Sequence, residues 1–149
     1  MSLENDIQQK SFRSEYQKAL LNIIFTHNCL NNTVNDFFKD YSITRQQYNV
    51  MRIIRGQSPK AASIQLIRDR MLDKMSDASR IVERLRVKNL IKREASPEDK
   101  RTVDITITED GIKLLETIEL RIEEVESSIR KLSLEEAALL NKLLDKIRD

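Results

Sequence analysis

Glycine, proline, cysteine, histidine and tryptophan are scarce or missing in this chain. Its 149 residues include two glycines, two prolines, one cysteine, one histidine and no tryptophan. So few glycines and prolines leave little room for linkers, and a single cysteine excludes an intramolecular disulfide. One histidine, His27, has no nearby residues that would complete a metal site. The lone cysteine suits a reducing compartment, which we expect to be the cytoplasm.

Long apolar runs are also missing. No unbroken apolar stretch approaches membrane-spanning length, and the polar N-terminus MSLENDIQQK lacks the apolar segment of a signal peptide. Charged residues make up 34% of the chain, which is typical of a soluble protein with long, solvated helices. We therefore expect no contact with a membrane.

Catalytic motifs are absent too. The sequence has no glycine-rich phosphate loop and no nucleophile with a neighbouring base, and its one histidine has no obvious carboxylate relay. Most acidic residues fall on predicted helix surfaces. The sequence thus predicts a protein that is not an enzyme and that uses neither a cofactor nor a metal.

Positive charge is concentrated in one part of the chain. The net charge is only +2, but residues 58–107 hold twelve Lys or Arg against eight Asp or Glu, a local balance of +4. The rest of the chain has a balance of −2. A local basic patch is compatible with nucleic acid, although ordinary soluble domains also carry such patches.

The basic region has the pattern of a helix followed by a hairpin. From Asp73 to Leu90, one face of the predicted helix is apolar, and it contains Met75, Ala78, Ile81, Val82 and Leu85. Asp73 or Ser76 is the predicted cap, and Asn89 favours an end near Lys88. Residues 90–95 then have the look of a short strand, and residues 103–108 alternate as a second strand after a charged tip at 96–101.

This order of elements resembles the winged helix-turn-helix of the MarR family of bacterial transcriptional regulators. The matching residues are Ser79-Arg80, Arg84-Leu85, Leu90, Arg93, Asp99, Arg101, Ile107 to Gly111 and, upstream, Ile43-Thr44 and Gln47-Tyr48. The resemblance implies a mainly α fold with a small β-hairpin wing in a single domain, 1–149. The winged module would span about 42–108, with dimerisation helices at about 7–40 and 109–149.

Periodic apolar residues in both terminal regions agree with such helices. Between Ile7 and Tyr41 they step by threes and fours, which predicts one long helix. A second stripe follows Thr108 as far as Leu132, and a capping box at Ser133 starts a last helix. Packing against a second copy would cover these stripes and give a homodimer. The alternative is a monomeric helical bundle.

A winged module of this kind would place the helix from Met75 to Val87 in the major groove of double-stranded DNA. The predicted DNA-binding residues are Lys74, Ser76, Asp77, Ser79, Arg80, Arg84, Asp99, Lys100 and Arg101. Arg80 is the best match for guanine, whereas Asp77 contacts cytosine or caps its own helix. Arg101 would enter the minor groove, its guanidinium held by Asp99. A dimer would bind a near-palindromic operator.

Our working hypothesis is a dimeric repressor released by a small aromatic or apolar effector. The predicted pocket contains Tyr16, His27, Phe38, Tyr48 and Met51, a set that is equally compatible with plain core. One alternative is a redox-responsive regulator that uses Cys29. If it is not redox-active, Cys29 is an inert buried thiol. In the resembled family's peroxide sensors, the cysteine lies about one turn further from the start of the next helix than Cys29 lies from Ile43-Thr44. Another alternative is a protein-interaction dimer that does not bind DNA.

Arg68 departs from the family pattern. It stands where the family usually has a small alanine. Either its side chain turns outward, toward phosphate or an acidic neighbour, or the supporting helix that starts after Ser63 packs differently.

Overall fold

A computed structural model describes residues 2–149, which form helices and one β-hairpin. In chain order the elements are α1 (Leu3–Asp6), α2 (Glu15–Lys39), α3 (Arg45–Arg55), α4 (Ile64–Arg70), α5 (Ala78–Val87), β1 (Ile91–Ala95), β2 (Val103–Ile107), α6 (Glu109–Glu119), α7 (Glu123–Glu126), a 3₁₀ helix (Ile129–Lys131) and α8 (Leu134–Arg148). The predicted fold class, mainly α with a small hairpin, is confirmed. None of the helices in these residues is long and apolar enough to cross a membrane.

Two capping boxes fix helix starts as the sequence predicts. Thr44 Oγ1 accepts a hydrogen bond from the Gln47 amide at 3.1 Å, and the Gln47 side chain accepts one from the Thr44 amide at 3.0 Å. Ser133 and Glu136 repeat the arrangement at the start of α8, at 3.2 and 2.8 Å. Each box satisfies two backbone donors that a helix start would leave unpaired.

The core is built around α3, which contacts α2, α4, α5, α6 and β2. Its residues Val50, Met51 and Ile54 are buried, and so are Ile67 of α4 and Leu85 of α5. The same cluster also contains Phe37, Phe38, Ile43, Ala62, Met71, Ala78, Val82, Leu90, Ile91, Ile105, Leu115 and Ile118. One apolar core therefore holds the helix-turn-helix and the hairpin together.

The hairpin is attached to the helices by backbone pairing. β1 and β2 are antiparallel, with Arg93 opposite Ile105 and Ala95 opposite Val103. Ala62, just before α4, exchanges two backbone hydrogen bonds with Ile105, at 2.8 and 2.9 Å. This bridge ties the base of the hairpin to the start of the helix-turn-helix.

The junction between α5, β1 and α6 is closely packed. Asn89 has the left-handed backbone conformation predicted for it, with φ 57°. Thr108 Oγ1 donates to the Asn89 carbonyl at 2.8 Å and accepts from the Gly111 amide at 3.0 Å. A Cβ on Gly111 would overlap the Leu90 carbonyl oxygen and lie 2.8 Å from Ile107 Cγ1. Only glycine allows this close approach of α6 to the hairpin.

The first long helix is shorter than the predicted span from Ile7 to Tyr41. α2 begins after Ser14, whose Oγ accepts a hydrogen bond from the Gln17 amide at 3.2 Å. Gln8 interrupts the helical path upstream because its φ is 55°. The segment before it is held to α2 by Lys18, which lies 2.5 Å from the Glu4 carboxylate and lowers its pKa to about 2.

The helix predicted from Thr108 to Leu132 is not continuous, because α6 ends at Glu119. Beyond it, Arg121 Nε donates to Glu124 at 2.7 Å, and its guanidinium lies 3.5 Å from Asp40 and 5.7 Å from the Phe37 ring centroid. Through these contacts the chain after α6 packs against the end of α2. Apolar periodicity alone contains no sign of them.

Apolar side chains remain exposed on α2 and α8. No residue of α8 is buried. The exposed residues include Tyr16, Leu20, Ile23, Ile24, Leu134, Leu139, Leu140, Leu143 and Ile147. These are the stripes that the sequence predicts to pack against a second copy.

Candidate DNA interface

The basic helix begins later than predicted. Asp77 is its cap, since Asp77 Oδ1 accepts a hydrogen bond from the Arg80 amide at 3.2 Å, and the helix starts at Ala78. Met75, predicted on the buried face, precedes the helix and is 95% exposed. The reason is a local turn in which Asp73 accepts from the Met75 amide at 3.1 Å and from the Ser76 hydroxyl at 2.8 Å. Asp77 therefore faces its own helix.

The outer face of α5 presents free cations. Val82 and Leu85 are buried, whereas Ser79, Arg80 and Arg84 are exposed on the other side. Within residues 2–149, neither the Arg80 nor the Arg84 guanidinium forms an ion pair. Both groups can therefore meet phosphates or base edges without first breaking a contact within the protein.

Other cations of the same region already have partners. Arg86 lies 2.7 Å from Glu83 and lowers its pKa through that hydrogen bond, and Arg93 lies 3.8 Å from the same carboxylate. Lys88 Nζ donates to the Ser42 carbonyl at the start of the α2–α3 connection. The basic run in the sequence is thus divided into free and paired members.

Asp99, at the hairpin tip, contacts a different group of Arg101 from the one predicted. Asp99 Oδ1 accepts from the Arg101 backbone amide at 2.9 Å, and no ion pair joins Asp99 to the Arg101 guanidinium in the described part of the chain. The carboxylate therefore shapes the tip. The prediction that it holds the Arg101 guanidinium does not match this structure. Lys100 and Arg101 are both exposed there.

Lys74 folds back toward α4. Its Nζ donates to the Asp69 carbonyl and, at 3.4 Å, to the Arg68 carbonyl. The Arg68 side chain is exposed and donates to Gln65 Oε1 at 3.2 Å. Of the two alternatives for Arg68, the outward-turned side chain is the one observed.

The arrangement is that of a winged helix-turn-helix, and comparison with known proteins identifies the family. A sequence model of the MarR family matches residues 41–102. The HTH-type transcriptional regulator MgrA of Staphylococcus aureus is 31% identical over 113 residues, which cover 76% of this chain and 75% of MgrA. The chain belongs to the MarR family. As a MarR-family protein it is a DNA-binding transcription regulator and not an enzyme.

Solved MarR-type structures share this fold. A MarR transcription factor from Planctomyces limnophilus is 27% identical, with a TM-score of 0.69 over 91% of this chain and 98% of its own. MepR of S. aureus, in complex with DNA, is 22% identical, with a TM-score of 0.73 over 92% and 97%. BpsR of Bordetella bronchiseptica, whose DNA binding is regulated by 6-hydroxynicotinic acid, is 23% identical, with a TM-score of 0.74 over 89% and 99%.

A cavity of about 440 Å³ lies beside the MarR winged module, between α2, α3 and the chain after α6. Phe38 and Tyr48 line it, with their ring centroids 4.6 Å apart. Its cationic lining consists of Arg45, Arg52 and Arg70. Met51 is buried in the core, and Tyr16 and His27 are exposed on α2, so these three predicted pocket residues do not line it.

The three arginines of this cavity were missed by sequence reasoning. Arg45 and Arg52 are seven residues apart on α3, a helical spacing that puts them on one face with Tyr48, but nothing in the sequence places Arg70 of α4 beside them. The Nε of Arg45 is buried and has no hydrogen-bond partner within residues 2–149. A buried donor of this kind is costly unless a further group accepts its hydrogen bond.

Cys29 lies exposed on α2. The expectation of a buried thiol, which was the alternative to redox sensing, does not match this structure. Within residues 2–149, no group of three or more His, Cys, Asp or Glu side chains is placed to hold a metal ion. A redox role for Cys29 stays a prediction.

Proposed function

We propose that this MarR-family regulator is a homodimeric repressor that binds a near-palindromic DNA operator and is released by a small effector. The observation that carries the proposal is the pair of free guanidinium groups, Arg80 and Arg84, on the exposed face of a helix whose other face is fixed in the core. Lys100 and Arg101 form a second free cationic site at the hairpin tip. Two such sites can hold the register of a duplex.

Each site has a separate task in this proposal. Arg80, in the first turn of α5, contacts guanine through O6 and N7, while Ser79 and Arg84 contact neighbouring bases or phosphates. Arg101 enters the minor groove, where narrow A·T-rich stretches attract arginine. The DNA complex of MepR, a protein of the same fold, supports a DNA-bound state for this architecture.

Dimerisation supplies the operator symmetry. The exposed apolar stripes of α2 and α8 would be covered by the same stripes of a second copy. Such a dimer presents two α5 helices, and half-sites about 34 Å apart, one turn of DNA, match that symmetry.

The effector is proposed to enter the cavity lined by Phe38, Tyr48 and three arginines. Its aromatic lining fits a small aromatic or apolar body, and the unpartnered Arg45 Nε favours an effector that also carries an acidic group. Release requires that the effector bind better to a dimer whose α5 helices are wrongly spaced for DNA. BpsR, whose DNA binding is regulated by 6-hydroxynicotinic acid, supports an aromatic acid as the class of effector.

Selection from a random duplex library tests the DNA part. The full-length chain is expected to enrich a near-palindrome with half-sites one turn apart, and Arg80→Ala is expected to lose the preference for guanine in each half-site. Arg86→Ala is the matched control, because Arg86 is on the same helix but is paired with Glu83. Failure of the wild-type chain to enrich any motif would contradict the proposal.

Thermal-shift and operator-release measurements with paired compounds test the effector. Benzoate-type acids should raise the melting temperature and weaken operator binding, whereas the matching neutral amides should do neither. Arg45→Gln should lose the response and Cys29→Ser should keep it. Release by peroxide that disappears in Cys29→Ser, with no response to the acids, would favour the redox alternative instead.

A further inference from the structure

Met75 is an almost fully exposed apolar side chain at the leading end of α5. It is 95% exposed, and its backbone is held in place because the Met75 amide donates to Asp73 Oδ1 at 3.1 Å. The surrounding turn is fixed by the Ser76 hydroxyl on Asp73 Oδ2 at 2.8 Å and by the Leu72 amide on Asn49 Oδ1 at 3.0 Å. A well-anchored backbone thus presents an apolar group to the outside.

We infer that Met75 is a specificity-determining residue that contacts the 5-methyl group of a thymine in each half-site. This inference rests on the proposed DNA function. Among the base edges of the major groove, only thymine offers a methyl group, and an apolar side chain is its matching contact. Met75 precedes the exposed cation Arg80 by five residues, at the end of α5 where the proposed function places the base contacts.

The chemistry of methionine suits this contact. Its unbranched thioether adapts to an irregular apolar surface without a fixed rotamer. Exposure leaves that surface in water in the free protein, and contact with a thymine methyl would remove both groups from water. A protein partner fits less well, because residues 71–80 expose just two large apolar side chains, Leu72 and Met75, alongside the exposed cations Lys74 and Arg80. Such a patch is small and cationic for an apolar interface.

Uracil replacement tests the contact directly. Operators selected by the full-length chain are synthesised with each thymine in turn replaced by uracil, which removes only the methyl group. At one thymine per half-site, uracil should weaken wild-type binding about fourfold. This is the affinity change expected from the loss of one buried methyl group. The variant Met75→Gln, of similar length but polar, should bind thymine and uracil operators equally, and Met75→Leu should keep the preference.

Val87→Ala is the matched control, since Val87 is an exposed apolar residue at the other end of the same helix. It should show the wild-type sensitivity to uracil. If no thymine distinguishes wild type from Met75→Gln on a genuine operator, the inference is overturned while the proposed function stands. If no operator can be selected at all, the proposed function fails and takes this inference with it.

Discussion

Single residues decide where α5 begins. Asp77 supplies the hydrogen bond to the Arg80 amide, while Asp73 keeps the preceding turn from becoming helical. Arg80 therefore stands in the first turn of α5, where its side chain is free. Asp77 contributes through this cap, so its carboxylate is occupied and need not contact a base.

Replacing the cap should measurably weaken the fold. Asp77→Ala removes the acceptor for the Arg80 amide and should lower the free energy of unfolding by about 1 kcal/mol, whereas Asp77→Asn keeps an acceptor and should stay within a few tenths of wild type. Urea unfolding measures both. Equal losses in the two variants would show that the cap is not the source of the stability.

Asp73 should make this turn sensitive to acid. The Ser76 hydroxyl, and then the Met75 amide, lower the pKa of the Asp73 carboxyl below its ordinary value near 3.8. Because the folded pKa is lowered, the stabilisation is complete above about pH 4 and is lost as the pH falls below it.

The test compares wild type with Asp73→Asn. The difference in unfolding free energy between them should be the same at pH 7 and pH 5 and smaller at pH 3. A difference that does not change between pH 5 and pH 3 would mean that the carboxylate is not stabilised by these bonds.

At this scale the sequence predicted which cations of α5 are exposed better than it predicted the hydrogen bonds of the neighbouring turns. The spacing of Arg80 and Arg84 on a helix face was enough to expose both. The pairing of Asp99 with its own tip, and the outward position of Met75, depend on hydrogen bonds in turns. Helical periodicity says nothing about such turns, which is why Met75 was placed on the wrong side.

At the scale of elements, the wing is positioned by one tight junction. α6 approaches the end of α5 so closely that position 111 has no room for a side chain. The Thr108 hydroxyl joins both sides of the same junction. The hairpin therefore cannot change its angle to α5 without opening this contact.

Gly111→Ala tests the junction. The added methyl group would collide with a backbone carbonyl, which cannot rotate away, so the free energy of unfolding should fall by about 1–3 kcal/mol. Gly56→Ala is the control, because a Cβ there would lie 3.3 Å from its nearest backbone oxygen and φ is −65°. Its stability should change by less than about 1 kcal/mol. An equally stable Gly111→Ala variant would contradict the close packing.

Helix starts that have a capping box were predicted correctly. Thr44 with Gln47 and Ser133 with Glu136 are local patterns, and local patterns determine caps. Just after α6 ends, Arg121 contacts Asp40, 81 positions earlier in the chain. Apolar residues at heptad spacing do not reveal such distant contacts. The prediction of one continuous helix from Thr108 to Leu132 is therefore wrong.

At the scale of the whole molecule, the exposed apolar stripes of α2 and α8 predict packing against a second copy of the chain. Leu139→Glu combined with Leu143→Glu places charge on the exposed apolar face of α8 and should convert the proposed dimer to monomers in sedimentation equilibrium. Binding to a full operator should then fall to the level of a single half-site. Asn141→Glu, on the opposite face of α8, should stay dimeric. A double variant that remains a dimer would place the interface elsewhere.

The central claim is that α5 and the wing bind a specific duplex, and fluorescence anisotropy tests it most directly. The full-length chain is titrated on a duplex from upstream of its own gene and on a scrambled one, at roughly 50 and 200 mM salt. We expect tight, salt-dependent binding that prefers the upstream duplex and that Arg80→Ala and Arg101→Ala both weaken. Equal, weak binding to both duplexes, unchanged by either substitution, would contradict the claim.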